Sequence, residues 1–236
     1  MNKKQIFVAG WGGSGSRVPQ MILEKAGYFV GRDDYLNQEY DLCGKPVDES
    51  ITNITKSTPK KLECIRCFDE YFFKNNPEAY KDFLDEVLDG RDSWSLKVFH
   101  FMFFIPLLKK WYPDSKFIYT LRNPIDNMLN KYDIHHKYGG LPLNAPIENK
   151  VKYHLYVTKM VLEDTDFIVK LEDLCFNTNE TITDLLAFAN VENNNIEEYA
   201  KLIQIPKSIG RGKEYYEKFK EMKEFEYIKE LGYLLD

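Results

Sequence analysis

Apolar residues in this chain fall into short continuous runs, and the longer stretches between them repeat their apolar positions every three or four residues. Continuous apolar runs bounded by turn residues read as buried strands, and three-to-four spacing reads as amphipathic helix. The run QIFVAG at 5–10 ends in glycine, and SRVPQMILEKAGY at 16–28 has helical spacing with Gly27 as its stop. This predicts strand, glycine loop, helix. Residues 31–58 are polar, carry Gly44 and Pro46 and are followed by Pro59, so they read as a surface excursion. Two amphipathic helices are predicted at 61–75 and 77–89, the second opened by Asn76-Pro77 and closed by Gly90. Beyond them the pattern predicts a strand at 94–99, a helix to Tyr112, the strand KFIYTL at 116–121 and a helix from Pro124. A helix around 147–163, the strand DFIVKL at 166–171 and helices near 179–190, 195–203 and 214–231 complete the map. Four short apolar strands alternating with helices predict an α/β fold whose central parallel sheet is covered by helices on both faces. One domain over 1–236 is expected, with 31–93 as a helical insertion after the first βα unit.

Composition narrows the function classes. The 236 residues carry 32 Lys+Arg against 37 Asp+Glu, a formal charge of −5, which argues against a nucleic-acid binder. Hydrophobic residues at 44% and charged residues at 29% fit a soluble globular chain. An aromatic share of 15% points to a bulky core. MNKKQ leads straight into IFVAG, too short for a secretory signal, so a cytoplasmic protein is expected. The longest apolar run, VFHFMFFIPLL at 98–108, is broken by His100 and Pro106 and falls short of the ~20 residues a membrane span needs. Cys64 and Cys67 have no second ligand pair at zinc spacing and read as packing residues of a helix.

In an open parallel sheet, ligands bind beyond the carboxyl ends of the strands. After the first strand, GWGGSGSR at 10–17 places Gly10, Gly12, Gly13 and Gly15 within six positions. Glycines let a phosphate approach main-chain N–H groups, and the following helix adds the partial positive charge of its N-terminus. Gly10 and Gly15 have the spacing of a phosphate-binding loop, but its Gly-Lys-Ser/Thr ending is replaced by Gly15-Ser16-Arg17, which weakens a kinase or ATPase reading. After KFIYTL comes Arg122, a cation at a strand end beside a helix start, well placed for a second phosphate. PKSIGRGK at 206–213 sets Lys207, Ser208, Arg211 and Lys213 around Gly210 and Gly212 as a third anion-gripping segment. Glu172-Asp173, just after the last strand, read as residues that cap the next helix.

Together these segments resemble the sulfotransferases that use 3′-phosphoadenosine-5′-phosphosulfate (PAPS). The loop at 6–23 is similar to that family's 5′-phosphosulfate loop, and FIYTLRNPIDNMLN at 117–130 to its 3′-phosphate motif. WSLKVFHFMFFIPLLKKWYPDSKF, VKLEDLCFNTNETITDLLAFANV and PKSIGRGKEYYEKF followed by LGY resemble further family segments in the same order. The resemblance implies a P-loop-like fold and sulfuryl transfer to a hydroxyl or amine of a small-molecule or glycan acceptor, with adenosine 3′,5′-bisphosphate as product and no metal required. It implies that Gly12, Gly13, Ser14, Gly15, Ser16 and Arg17 hold the 5′ side. Arg122, Asn130 and Ser208 with Gly210, Arg211 and Gly212 hold the 3′ side, and Lys97 fills the family's lysine position. His100 is the favoured base, because imidazole titrates near neutral pH, with Glu63, Asp69 and Glu70 as alternative bases and His135 and His136 assigned to an acceptor-side loop. The chain departs from the family at Gly13, where a basic residue is common, at Asn130 for Ser, at Leu171 for Tyr and at Gly212 for Trp. The alternatives are a non-catalytic nucleotide-binding relative and a P-loop nucleoside or nucleotide kinase.

Overall fold

The computed structural model describes residues 4–31, 77–129, 145–192 and 195–233. The predicted helix 61–75, with Cys64, Cys67, Glu63, Asp69 and Glu70, lies outside them, as do Asn130, His135 and His136. Among the described residues, strands β1 (Gln5–Gly10), β2 (Trp94–Lys97), β3 (Ser115–Leu121) and β4 (Phe167–Lys170) form one sheet in the order β2-β1-β3-β4. Every pairing is parallel, and β1 lies between β2 and β3. The chain therefore steps to one side of β1 and then returns to the other, which puts the topological switch point at the carboxyl end of β1 and β3.

The central strands β1 and β3 read as largely apolar runs because both sheet faces are covered there. Phe7 and Ala9 of β1 pack with Trp94, Leu96, Phe117, Tyr119 and Leu121 on one face, while Ile6 and Val8 pack with Ile118 and Val169 on the other. The first face is filled by helices α2 (Pro77–Leu88), α3 (Ile105–Trp111) and α5 (Ile147–Glu163). The second is filled by α1 (Arg17–Lys25), α6 (Leu171–Phe176), α7 (Thr178–Phe188) and α8 (Ile196–Ala200). The short α4 (Pro124–Met128) follows β3. Among the described residues, most aromatic side chains are buried in or packed against the core. Phe7 meets Trp94, Phe101 and Tyr112 edge-on, with ring centroids 4.7, 4.9 and 5.7 Å away.

Two stretches differ from the pattern-based expectation. The strand predicted at 94–99 stops at Lys97, and Phe99–Phe103 forms a 3-10 helix. The helix expected from there to Tyr112 is therefore made of this 3-10 turn followed by α3. The single helix expected over 214–231 is divided into a 3-10 turn (Arg211–Tyr215), α9 (Tyr216–Phe219) and α10 (Phe225–Glu230). Its buried residues Tyr216, Phe219, Phe225, Ile228 and Leu231 stand at multiples of three. On an α-helix a three-residue step drifts by about 60° each time, so a long helix could not keep this stripe on one face.

Candidate anion site at the sheet switch point

The glycine loop is bound tightly to the strand beside it. Ser14 Oγ hydrogen-bonds Thr120 Oγ1 at 2.8 Å, and Thr120 Oγ1 donates in turn to the Ala9 carbonyl at 3.1 Å. A Cβ on Gly10 would lie 2.0 Å from Thr120 Oγ1 and 2.5 Å from its carbonyl oxygen, so the loop's close approach to β3 requires glycine there. Ser14, 1% exposed, thus anchors the loop, whose main chain then runs into the first turn of α1 through Ser16 and Arg17. That turn carries no carboxylate to compete for an anion. Gly13 has φ +82°, in the left-handed region, and Gly15 has φ +83° with Leu171 packed against it. Leu171 therefore forms the wall of this loop.

Arg122 joins the three predicted segments. Its guanidinium is 2% exposed. One terminal nitrogen donates to the Gly13 carbonyl at 3.1 Å, and the other donates to the Ser208 carbonyl at 2.7 Å and the Ser208 hydroxyl at 2.8 Å. Residues 109 and 86 positions apart are brought together by one side chain. Its Nε is buried with no hydrogen-bond partner among the described residues. Burial draws the guanidinium below its ordinary range, and Asp126 and Glu172 oppose this.

The basic loop is held by Asp126. Its carboxylate accepts from the backbone N–H groups of Gly210 and, at 2.6 Å, Gly212, and it lies 4.0 Å from Arg122. Arg211 donates to the Asp126 carbonyl at 3.2 Å. A Cβ on Gly212 would meet Asp126 Oδ1 at 2.8 Å and Ile125 Cγ2 at 2.9 Å. Glycine at 212 is thus dictated by how closely this turn packs on α4.

Lys97 closes β2, is 2% exposed and pairs in register with Val8. Alternation puts it on the α1 face with Ser95, which exchanges two 2.7 Å hydrogen bonds with Gln20 of α1. His100 belongs to the following 3-10 helix, and its side chain lies outside the described part of the structure.

Glu172 does not cap the helix that it begins. Its Oε1 accepts the backbone N–H of Asn123 at 3.0 Å, and the N-cap of α6 has no side-chain hydrogen bond. Asn123 is itself the N-cap of α4, with Oδ1 accepting from Ile125 and Asp126 N–H groups and Nδ2 donating to Tyr216 Oη at 2.9 Å. His154 also went unmarked in the sequence. Fully buried on α5, it stacks on Trp11 at 5.1 Å, and its two ring nitrogens meet Asn127 and Thr158 at 3.2 and 3.3 Å. An Asn before Pro is the sequence signal for the α4 cap. His154 had no such signal, because Trp11 and Asn127 come from other segments and only Thr158, one turn along the same helix, is local.

The backbone has counterparts among solved structures. The sulfotransferase from Alicyclobacillus acidocaldarius superposes with a TM-score of 0.50 at 14% identity, over 97% of this chain and 93% of that one. This is a sulfotransferase fold. Sulfotransferase STF9 from Mycobacterium avium gives a TM-score of 0.45 at 12% identity, over 84% of this chain and 67% of that one. No protein-family model matches the sequence, and neither does any curated protein. Within the sulfotransferase fold, the loop after β1, Arg122 and the 206–213 loop share the carboxyl edge of the sheet. Among the described residues, no helix is long and apolar enough to cross a membrane.

Proposed function

We propose that this protein is a sulfotransferase that moves a sulfuryl group from PAPS to a hydroxyl or amine of a small-molecule or glycan acceptor. The observation that carries this reading is Arg122, a buried cation at the switch point in contact with both the glycine loop and the 206–213 loop. Its partners are neutral oxygens at hydrogen-bond distance, with a carboxylate at 4.0 Å and one donor nitrogen unused among the described residues. Such a guanidinium suits a phosphate, which takes planar, charge-assisted hydrogen bonds.

In this reading Arg122, Asn130 and Ser208 with Gly210, Arg211 and Gly212 hold the 3′-phosphate side of the donor. Gly12, Gly13, Ser14, Gly15, Ser16 and Arg17 hold the 5′ side through loop N–H groups and the start of α1. When bound, the donor supplies the sulfuryl group and a phosphate leaving group. Lys97 provides positive charge where negative charge builds up during transfer, and His100 takes the acceptor's proton. A non-catalytic nucleotide-binding relative is the second reading, favoured by Gly13, whose φ of +82° discourages the basic residue common there.

The test is binding of adenosine 3′,5′-bisphosphate to Arg122→Ala. Loss of charge-assisted bonds should weaken it by about 1.5–3 kcal/mol. Unchanged affinity would remove Arg122 from the donor site and with it the proposal.

A further inference from the structure

Behind Arg122 lies a second layer of polar atoms that phosphate binding alone does not use. One oxygen of Glu172 fixes the peptide joining Arg122 to Asn123, by accepting the Asn123 N–H at 3.0 Å. The other, Oε2, is buried with no hydrogen-bond partner among the described residues. Tyr233 Oη and Arg122 Nε likewise have no hydrogen bond within 3.5 Å among the described residues, and the Tyr233 hydroxyl is close enough to Glu172 for the two groups to act on each other. Among the described residues, the titratable groups whose charge reaches Glu172 are Arg122 at the end of β3, Tyr216 on α9, Tyr233 after α10 and Cys175 on its own helix. Of these, only Arg122 is a cation. Burial pushes the Glu172 carboxyl above the ordinary carboxylate range, while the Asn123 N–H, its own backbone N–H, the Arg122 charge and the Tyr233 hydroxyl pull the other way.

We propose that Glu172 is a positioning residue that responds to the charge on Arg122: it fixes the Arg122–Asn123 peptide and takes a proton on Oε2 when a phosphate occupies the guanidinium. This rests on the reading of Arg122 as the 3′-phosphate cation. With Arg122 unliganded, its positive charge favours the carboxylate. A bound phosphate offsets that charge and leaves desolvation to favour the neutral acid. The proton comes from solvent, and the carboxylic acid keeps Oε1 as acceptor for Asn123. Neutralising Glu172 also removes a negative charge that would otherwise repel the phosphate.

Proton uptake on binding means that affinity falls as pH rises between the carboxyl's pKa in the free protein and its higher pKa in the complex. The slope is at most about tenfold per pH unit for one proton. Glu172→Gln retains an acceptor for the Asn123 N–H but cannot titrate. The experiment is calorimetric titration with adenosine 3′,5′-bisphosphate in two buffers of different ionisation enthalpy, for the wild-type protein and E172Q. Titration of the nucleotide's own phosphates is common to both proteins and cancels in the difference. The wild-type protein should take up more protons per nucleotide than E172Q, and its affinity should fall more steeply with pH.

Equal proton uptake by the two proteins, with binding that still requires Arg122, overturns the proposal. Binding that does not require Arg122 overturns the reading beneath it instead. Should E172Q fail to fold, the infrared band of a protonated carboxylic acid in the wild-type protein reports the same event. Growth of that band on adding the bisphosphate supports the proposal, and its absence overturns it.

Discussion

Removing the Asp126 carboxylate should release the 206–213 loop from the sheet edge and weaken the whole protein measurably. Two backbone donors, Gly210 N–H and Gly212 N–H, end on this carboxylate. A hydrogen bond to a charged acceptor contributes about 1.5–3 kcal/mol, and the two share one side chain and one desolvation. The loop is half-exposed around Gly210, so water can replace part of what Asp126→Ala removes. We therefore take the low end for each bond and expect a loss of about 3 kcal/mol. Asp126→Asn keeps one acceptor oxygen but sets an amide N–H₂ against the other donor, and should fall between the two. Urea unfolding followed by circular dichroism gives the stability change, and amide exchange at Gly210 and Gly212 shows whether the loss is local. Nucleotide affinity separates two roles of the same group. Asp126 also lies 4.0 Å from Arg122, so its removal takes away a competing negative charge. Anchoring of the loop predicts weaker bisphosphate binding despite that change. An unaltered unfolding midpoint, unaltered exchange at the two glycines, or tighter binding would refute the clamp.

Lys97→Met keeps the volume of a buried side chain and should lower turnover by about 100-fold or more, the scale of losing one charge-stabilising group, with the unfolding midpoint little changed. An unaffected single-turnover rate would make Lys97 a structural residue. Gly13→Lys places a side chain at φ +82° and should cost about 1–2 kcal/mol of stability. A stability equal to wild type would show that the loop readily adopts another conformation. Burial raises the hydroxyl pKa of Tyr112, Tyr119 and Tyr233 above the ordinary tyrosine range. Above pH ~10 the unfolded chain then loses protons that the folded chain keeps, so stability falls by up to about 1.4 kcal/mol per pH unit for each such residue. Tyrosinate absorbance of these residues should rise together with unfolding, and its appearance in a still-folded protein would contradict their burial.

The fold was legible where local pattern and burial agree. QIFVAG and KFIYTL are mostly apolar because the two central parallel strands are covered on both faces, and DFIVKL keeps enough apolar residues to read as a strand although Ile168 on this edge strand is exposed. The glycine loop and Arg122 were legible because a phosphate site needs open backbone and a cation at strand ends. The partners of these residues were not. Asp126 meets Gly212 across 86 residues and Glu172 meets Asn123 across 49, contacts set by strand order rather than by any local signal. Glu172 sits in the first turn of α6, where a capping role is the natural reading, yet its carboxylate turns to the neighbouring strand's exit. His154 occupies an ordinary position in a helical repeat and acquires meaning from Trp11, which the glycine loop brings over it, and from Asn127 of α4. The helix expected at 214–231 failed because its apolar spacing is three, and a count of apolar residues alone does not separate that from a spacing of 3.6.

Calorimetric titration with adenosine 3′,5′-bisphosphate, with 5′-AMP and magnesium ATP as controls, tests the central claim most directly because it needs no knowledge of the acceptor. Selective binding of the bisphosphate, dependent on its 3′-phosphate, is the predicted result. Equal affinity for 5′-AMP, or preference for magnesium ATP, would contradict a PAPS site at Arg122.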